Sequence, residues 1–599
     1  FDNLTELSAF WWGALTYGLA FAGAGLGIAA GLAFLYLLAN RFPRPTTTFA
    51  LCLGGALAGG ALVIGRWRFQ RDILGKHAPT LSQNTVILLA ALAVGAMVAV
   101  AMAVILWRAR GGRVKGTAAG GVAFVALVLA GACASMAARP VPAGPGPAGA
   151  GSPATGPNLI LIVADALRAD YLSLYNADAA AKTPNLEALR ADGVLFESHF
   201  SQASWTKPAF ATIFSGLYPG SHTATSQVAA LPGEVETFPE VLEAGGYFTK
   251  AFANNPNITA TYNFHQGFTD YVDLKPDLCF GASESGSRLT IYEILRRLPK
   301  FLPWKKMAVT DFYQPADVVT ARALDWLRSR EDEGPFFLFL HYMEPHDPFM
   351  DWEHPGVGYA RRDMGDPDAD KFLEPMRKAY TLELEHMDQY LGVLFAGLRE
   401  LGIYDDAVVV FTADHGEEFY DHGGWWHGKT LYDEVVHVPM VVKLPRKAGA
   451  QGQTGELARH IDVGPTLLYL AGLNQPESMT GKPLVSAAGE AAATGTNYVY
   501  AENDFEGNVL EAVRTQKTKL IRANADNPRG LAEVEFYDLE ADGGSEGENR
   551  AGQGDVREGA LSKLLDDMKG HIREQAAEPQ LLEGPTGELK EQLDALGYL

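Results

Sequence analysis

The first quarter of the chain is apolar over long, uninterrupted stretches. Four stretches without a charged residue cover Phe10–Leu38, Thr48–Ile64, Thr85–Trp107 and Ala118–Met136. A helix rises about 1.5 Å per residue and the hydrocarbon core of a bilayer is about 30 Å thick, so about 20 apolar residues span it. The pattern predicts a transmembrane helical bundle of about four helices over residues 1–139. Buried helices of a soluble protein are the alternative.

Basic clusters separate these stretches, at residues 41–44, 66–71 and 108–115. The positive-inside rule favours a cytoplasmic location for the first and third loops, which places both ends of the bundle outside. Residues 140–157 follow, and eleven of these 18 residues are Pro or Gly. This composition predicts a linker to a domain in the periplasm or at the cell exterior. Because the chain starts at Phe1, we also expect residues or a further span upstream.

From residue 158 the pattern changes to short apolar runs that alternate with amphipathic segments. The runs are 158–165, 247–255, 335–343 and 406–415, and helices are predicted at 183–193 and 377–402. Runs that are apolar on both faces are typical of a parallel sheet covered by helices. Ligands bind such sheets at the carboxyl ends of the strands. The polar residues at these ends are Asp165, Asn254, Asn255, His341, Asp414 and His415.

Charge divides the 599-residue chain in the same way. Residues 1–150 contain 11 Lys and Arg against three Asp and Glu, whereas the rest contains 38 against 68. An acidic domain is a poor candidate for nucleic-acid binding, and none is expected. The three cysteines, Cys52, Cys133 and Cys279, offer neither a disulfide framework nor a Cys-rich zinc site.

Asp165, Asp414 and His415 are oxygen and imidazole ligands of the kind that hold a divalent cation. Mn²⁺ or Zn²⁺ fits this set best, with Mg²⁺ or Ca²⁺ as alternatives. A single Asp at a strand end is more often a helix cap or a surface residue. Thr206 precedes Pro208 and a helical run, so it is either an ordinary N-cap or a metal-activated hydroxyl nucleophile at a helix N-terminus.

Histidines and a lysine cluster in two further motifs. HYMEPHDPF (341–349) contains His341 and His346, and the segment 419–439 contains His427 and Lys429 beside His422 and His437. A histidine is most often structural and Lys429 is equally well a solvated surface charge. The number of histidines in these two motifs, next to a candidate pair of metal ligands, favours a catalytic site.

These motifs occur in the order that is typical of sulfatase-like members of the alkaline phosphatase superfamily. The resemblance runs from Asn158 to about Leu473 and rests on NLILIVADALRADYLS, SWTKPAFATIFSGLYP, FLHYMEPHDPF, FTADHGEEFYDHGGWWHGKTLYDE and RHIDVGPTLLYLAGL. It implies an α/β sandwich with a central mixed sheet over 158–485. A small C-terminal subdomain over 486–599 completes it, and two terminal amphipathic helices are predicted at 561–575 and 587–599. Packing onto the domain is favoured over partner binding for both.

The chain departs from that family at the nucleophile. Sulfatases resemble Cys-x-Pro-Ser-Arg or Ser-x-Pro-Ser-Arg there, and the Cys or Ser becomes formylglycine. Here the stretch is Thr206-Lys207-Pro208-Ala209-Phe210, and the family's paired Asp-Asp is Asp165-Ala166. Thr206 with Asp414-His415 resembles the phospho-transfer branch, which includes lipoteichoic acid synthases and phosphoethanolamine transferases, themselves membrane-anchored.

The resemblance implies a membrane-anchored, metal-dependent phosphodiesterase or phospho-alcohol transferase with a covalent Thr206 intermediate. Asp165, Thr206, Asp414 and His415 would hold one metal. His346 and His427 would bind phosphoryl oxygens or assist the leaving group, with Lys429 and His341 in second rank. A second metal with His346, His427, Asp347 and Glu344 as ligands stays an alternative.

The expected partners are the lipid bilayer and a phosphate- or sulfate-ester substrate. In one version of this hypothesis the substrate is linked to a lipid. A sulfatase without formylglycine is one alternative function. A non-catalytic membrane subunit is another, which Phe210 and Ala166 favour because the family has Arg and Asp at these two positions.

Overall fold

The computed structural model describes residues 156–276, 309–330, 334–354, 357–360, 369–445, 451–486, 491–492, 494–582, 584–585, 589–590, 592–593, 596 and 598. They belong to one of two compact units of the chain, Pro145–Asp277 with Lys306–Leu599. No helix within these described ranges combines the length and the hydropathy needed to cross a membrane. The four predicted membrane helices lie outside the described residues, so that prediction stays a prediction.

The strands of the described residues are, in chain order, β1 Leu159–Ala164, β2 Val194–Phe200, β3 Ala229–Ala230, β4 Phe248–Ala253, β5 Asp270–Asp273, β6 Phe336–Tyr342, β7 Phe349–Met350, β8 Gly358–Tyr359, β9 Val408–Ala413, β10 Glu418–Phe419, β11 Trp425–Trp426, β12 Met440–Lys443, β13 Gly452–Arg459, β14 Val499–Phe505, β15 Asn508–Arg514, β16 Thr518–Ala523, β17 Val534–Asp538 and β18 Gln580–Leu581. The helices are α1 Pro184–Ala191, α2 Thr206–Ser215, α3 Pro219–His222, α4 Phe238–Ala244, α5 Ala316–Ser329, α6 Ala369–Glu400, α7 Asp433–Val436, α8 Val463–Leu470 and α9 Val556–Glu574. Single 3-10 turns lie at Ala169–Tyr171, Pro256–Ile258, Ala260–Tyr262, Val309–Asp311, Tyr404–Asp406 and His460–Asp462.

A central eight-stranded sheet has the order β13-β2-β12-β9-β1-β6-β4-β5. β12 runs antiparallel to both of its neighbours, β9 and β2, whereas the other pairs are parallel. The predicted α/β architecture with a central mixed sheet is therefore confirmed. The four apolar runs of the sequence are β9, β1, β6 and β4, which lie side by side. Their carboxyl ends meet at one edge of the sheet, where ligands bind in such folds.

Both faces of this sheet are buried against helices, which explains the uninterrupted apolar runs. Alternate residues of β1 enter opposite cores, Ile160 and Ile162 on one face and Leu161 and Val163 on the other. The first core includes side chains of α1, α5 and α6, and the second includes side chains of α2, α4 and α8. Two fully packed layers of helices hold the strand ends rigidly, as a precise site requires.

Strands β14 to β17 form an antiparallel four-stranded sheet, and α9 lies against it. Leu565 and Ile572 of α9 pack with Tyr500 and Val513 of that sheet. Helix α9 corresponds to the predicted amphipathic helix at 561–575 and begins earlier, at Val556. Its apolar stripe is buried within the domain, in agreement with the favoured interpretation.

Two predicted helices are present with different ends. Helix α1 has Pro184 at its first position, and the side chain of Thr183 before it forms no capping hydrogen bond. Helix α6 begins at Ala369, ahead of the predicted start at 377, and contains Pro375. Pro375 is the seventh residue of this helix, and because proline has no backbone N–H it cannot donate the intrahelical hydrogen bond expected in the second turn.

Candidate active site

Thr206 is the first residue of α2, a helix whose side chains are all buried. Trp205 before it has an extended backbone, so the chain turns into the helix at Thr206, and the helix ends at Gly216 in the left-handed conformation. The Thr206 side chain is completely buried. It therefore lies at a helix N-terminus, where the dipole and the backbone amides favour an anion.

Asp165 and Asp414 follow the neighbouring parallel strands β1 and β9. The backbone amides of Ala166 and His415 donate to Asp414 Oδ1, at 3.1 and 2.8 Å. Ala166 adopts a φ of 58°, a strained left-handed conformation for a non-glycine residue. The turn after β1 thus fixes the Asp414 carboxylate, although Ala166 replaces the second Asp of the family motif.

His415 faces Thr206, Asp165 and Asp414 with the lone pair of its Nε2 atom. Its Nδ1 donates to the carbonyl oxygen of Gly416 at 2.9 Å, so Nε2 of the neutral ring carries no proton. Nε2 lies 3.3 Å from Thr206 Oγ1, 3.6 Å from Asp165 Oδ1 and 3.4 Å from Asp414 Oδ2. Burial lowers the pKa of His415 to about 4, which keeps the ring neutral.

These atoms fit a divalent cation. Asp165 Oδ1 and Asp414 Oδ2 are buried and accept no hydrogen bond from any residue in the described part of the chain. Together with His415 they form a group whose ligand atoms lie within 4.8 Å of one another. Two unsatisfied carboxylate oxygens facing an imidazole lone pair are costly to bury unless a cation lies between them.

The protonation of the two carboxylates supports the same conclusion. Burial and the nearby charge of Asp165 raise the pKa of Asp414 well above its ordinary value. Burial also opposes ionisation of Asp165, but His346 and His341 outweigh it and hold the pKa of Asp165 below its ordinary value. The two buried carboxylates therefore oppose each other's ionisation, and a cation between them would relieve that repulsion.

Asn255 and His341 orient Asp165 from its other side. Asn255 Nδ2 donates to Asp165 Oδ2 at 2.7 Å. The Asn254 amide donates to His341 Nδ1 at 3.3 Å, so Nε2 of a neutral His341 carries the proton and faces Asp165 Oδ2 at 3.3 Å. His341 is the penultimate residue of β6, at the carboxyl end of the predicted run 335–343. Its described contacts favour a positioning role.

His346 and His427 lie close to each other and to His415. Their rings lie 5.1 Å apart between centroids, and the rings of His415 and His427 lie 4.3 Å apart. His427 Nδ1 faces Glu417 Oε2 at 3.3 Å. Both histidines are buried. The structure thus brings Thr206, Asp165, Asp414, His415, His346, His427 and His341 together.

The lysines have other partners. Lys429 Nζ is 2.9 Å from Glu506 Oε2 and 5.7 Å from the centroid of the Trp426 ring. Lys207 Nζ donates to the carbonyl oxygens of Ser226 and Gln227, at 3.1 and 2.7 Å. A role for Lys429 in binding the substrate stays a prediction. Lys429 would have to separate from Glu506 before it could contact a substrate.

Other residues of the motifs support the surrounding fold. His422 Nδ1 pairs with Glu434 at 2.6 Å, and His437 Nε2 donates to the Glu197 carbonyl oxygen at 2.9 Å. Glu344 is one of the ligands suggested for a second metal. Its Oε1 accepts from the Ala316 amide, whereas its Oε2 is buried and accepts no hydrogen bond from the described residues, so that alternative stays open.

The sequence did not reveal one residue of the site, Tyr598. Its hydroxyl lies 2.9 Å from Thr206 Oγ1, and 392 positions separate the two residues along the chain. No motif surrounds it, so only its aromatic character within an amphipathic segment offered a signal.

The Sulfatase family profile matches residues 157–473, more than half of the chain. The chain belongs to the Sulfatase family. It is a hydrolase of the alkaline phosphatase superfamily, as expected, and members of this family bind a divalent metal ion. A second profile, that of the N-sulphoglucosamine sulphohydrolase C-terminal region, matches residues 421–574.

Similar proteins include sulfatases and enzymes of phosphorus esters. The multifunctional alkaline phosphatase superfamily protein PehA of Trinickia caryophylli is 28% identical over 55% of this chain and 77% of its own length. An arylsulfatase of Clostridium perfringens is 23% identical over 64% of this chain and 88% of its own. The phosphonate monoester hydrolase of Agrobacterium radiobacter has the same fold, with a TM-score of 0.55, 23% identity, and coverage of 71% of this chain and 97% of that one.

Proposed function

We propose that this family member hydrolyses or transfers a phosphodiester through a covalent phospho-Thr206 intermediate. The observation that carries the proposal is the position of Thr206 Oγ1, 3.3 Å from His415 Nε2 beside the unsatisfied oxygens of Asp165 and Asp414. A buried hydroxyl at a helix N-terminus next to a cation site has the arrangement of an activated nucleophile. An ordinary N-cap threonine would accept a hydrogen bond from its own helix, and Thr206 begins the helix instead.

Asp165, Asp414 and His415, with Thr206 as the fourth group, would hold one divalent ion. Two carboxylates and one imidazole suit Zn²⁺ or Mn²⁺. When bound, such an ion neutralises charge on the phosphoryl oxygens and lowers the pKa of the nearby hydroxyl.

The chain's own residues would then conduct the transfer. Thr206 Oγ1 forms a bond to phosphorus while the bond from phosphorus to the leaving alcohol oxygen breaks. The proton that leaves Thr206 ends on that alcohol, and His346 and His427 are the groups placed to carry it. Water or an acceptor alcohol attacks the phospho-Thr206 ester in the second half and releases the enzyme.

A sulfatase that works without formylglycine is the second candidate, which the family match favours. Formylglycine requires a Cβ that can become an aldehyde, and the Cβ of threonine carries a methyl group. Thr206 therefore favours phosphorus chemistry. Phe210 occupies the place of the family's arginine and packs edge-on against His341, with ring centroids 5.0 Å apart, so it adds no positive charge for a sulfate.

We further propose that the enzyme is anchored in the inner or plasma membrane with its catalytic domain in the periplasm or outside the cell. The apolar stretches between residues 10 and 136 and the basic clusters between them support this. A membrane anchor would keep the site close to a lipid-linked substrate. Simple attachment of a soluble-substrate enzyme to the membrane explains the apolar stretches equally well.

The test compares wild type, Thr206→Ala and Thr206→Ser on bis(4-nitrophenyl) phosphate and 4-nitrophenyl sulfate. We expect the phosphodiester to be the better substrate, and Thr206→Ala to lose at least about a thousandfold in kcat. Full activity of Thr206→Ala would exclude the nucleophile, and cleavage of the sulfate alone would establish the second candidate. A wild-type protein without bound metal and without activity would favour the non-catalytic subunit.

A further inference from the structure

Tyr598 fills the space in front of the proposed nucleophile. Its hydroxyl lies 2.9 Å from Thr206 Oγ1 and 2.9 Å from His346 Nε2, and its side chain is completely buried. A phosphoryl group attacked by Thr206 would have to lie within bonding distance of the same oxygen. Tyr598 and a reacting ester therefore exclude each other.

The polarity of these hydrogen bonds gives Tyr598 the place of an alcohol. His346 Nδ1 faces the carbonyl oxygen of Asp347 and must donate to it, so Nε2 of a neutral His346 accepts. The Tyr598 hydroxyl then donates to His346, and its oxygen lies 2.9 Å from Thr206 Oγ1. A leaving alcohol that has just taken its proton from His346 would form the same contact with His346 Nε2.

Tyr598 is part of a short apolar strap, which we define by Leu593, Leu596 and Tyr598. These three side chains are buried, and the Tyr598 amide donates to the Leu593 carbonyl oxygen at 2.8 Å. Gln227 Nε2 donates to the Tyr598 carbonyl oxygen and ties the strap to the domain. The strap packs against Trp205, Tyr313, Met343, Trp426 and Phe505, and we call the space that its side chains fill among these residues the pocket.

The pocket touches the catalytic groups directly. Trp205 immediately precedes Thr206, and the rings of Trp426 and His427 lie 4.2 Å apart between centroids. Trp426 also lies 5.6 Å from the Tyr598 ring. An apolar group on the leaving oxygen of an ester bound at Thr206 would enter this pocket, since the strap's ring already does so.

We propose that the strap is an internal surrogate for the leaving alcohol, that it closes the site, and that the pocket beneath it binds the apolar or aromatic alcohol portion of the substrate. The proposal rests on the nucleophile assigned above. Substrate binding requires the strap to leave, so the apparent affinity is reduced by the fraction of molecules that are open.

The test uses the full chain and the ligand p-cresol, which reproduces the tyrosine side chain. For Tyr598→Ala we expect kcat/KM for bis(4-nitrophenyl) phosphate to rise at least about tenfold, mostly through a lower KM, if one molecule in ten or fewer is open in wild type. p-Cresol should inhibit Tyr598→Ala competitively and leave wild type nearly unaffected. Tyr598→Phe retains the ring and loses both hydroxyl contacts, so it should show a smaller rise, and it serves if the alanine variant fails to fold. Tyr469→Ala, at a tyrosine that is 40% exposed, is the control.

Calorimetric binding of p-cresol separates this proposal from the proposed function, because it needs no turnover. Tight binding to Tyr598→Ala and weak binding to wild type support the strap even if Thr206→Ala is fully active. Equal binding to both proteins overturns it. A fall in kcat/KM of Tyr598→Ala and Tyr598→Phe with KM unchanged also overturns it, since Tyr598 would then assist the reaction.

Discussion

His415 Nε2 lies 3.3 Å from Thr206 Oγ1, while the opposite nitrogen of the same ring donates to the Gly416 carbonyl oxygen. The second contact fixes the tautomer that the first requires, because only an unprotonated Nε2 can act as a ligand or acceptor. Asp414 and Asp165 are also held by supporting hydrogen bonds, so the metal affinity and the stability of the site can be tested by substitution.

The first prediction concerns Asp414, one of the two carboxylates with an oxygen that accepts no hydrogen bond from the described residues. Asp414→Asn retains an oxygen for the amides of Ala166 and His415 but removes the charge that a cation requires. We expect the affinity for Zn²⁺ or Mn²⁺ to fall at least about tenfold. Mass spectrometry of the dialysed protein measures how much metal stays bound. Asp351→Asn is the matched control, because Asp351 belongs to a separate group with Glu353 and His354. An equal loss in both variants would place the metal elsewhere.

The second prediction concerns the support of Asp165. Asn255→Ala removes the 2.7 Å donor to Asp165 Oδ2 and leaves the ligands themselves intact. Loss of such a supporting bond costs about 10- to 100-fold in metal affinity. Titration with Zn²⁺ in a competing chelator measures this directly, and the exposed Asn176→Ala should bind as wild type does. Unchanged affinity in Asn255→Ala would show that Asp165 needs no such support.

The third prediction concerns the backbone beside His415. A methyl group on Gly416 would lie 2.1 Å from the Glu434 carbonyl oxygen, and the Gly416 amide donates to the Val435 carbonyl oxygen at 2.7 Å. Gly416→Ala must move this turn and His415 with it, so we expect a loss of about 1–3 kcal/mol in the free energy of unfolding, together with lower activity.

Gly559→Ala is its control, because Gly559 lies within α9 with no atom within 4 Å of the added methyl. It should gain about 0.5–1 kcal/mol by helix propensity. Urea denaturation measures both variants, and a neutral Gly416→Ala would contradict the packing described here.

The fourth prediction is a pH dependence of stability away from the metal site. Burial opposes protonation of His422, but the hydrogen bond and charge of Glu434 outweigh it and raise the pKa of His422 from 6.5 to about 9. The folded state therefore binds this proton more tightly than the unfolded state. The stabilisation is complete below about pH 6.5 and is lost as the pH rises through about 9.

Wild type and His422→Gln should accordingly differ by ~1–3 kcal/mol more at pH 6 than at pH 10 in their free energy of unfolding. Urea titrations at the two pH values provide the measurement. A difference that is the same at both would show that the pair contributes no protonation-linked stability.

Much of the sheet was predictable, because burial on both faces leaves a simple signature. The runs that end at Asp165 and Asp414 proved to be adjacent strands, so two residues 249 positions apart could be assigned to one site. His341 was placed at a strand end, and it is the penultimate residue of β6. A buried histidine is tolerated inside the strand because its Nε2 has a polar partner, Asp165 Oδ2, at 3.3 Å.

The remaining contacts depend on tertiary approach that no local pattern encodes. The pairing of Lys429 with Glu506 and the arrival of Tyr598 at Thr206 both join distant segments. Ala166 illustrates the same limit: its side chain lacks the family's carboxylate, yet its backbone amide holds Asp414.

The central claim is the covalent role of Thr206, and trapping the intermediate tests it most directly. Wild type with bound metal would be mixed with bis(4-nitrophenyl) phosphate, quenched in acid during turnover, digested and sequenced by mass spectrometry. We predict a phosphoryl ester on Thr206 that is absent from Thr206→Ala, with a burst of 4-nitrophenol preceding the steady state. An active wild type that shows no adduct on Thr206, and a Thr206→Ala variant that turns over at the same rate, would contradict the account.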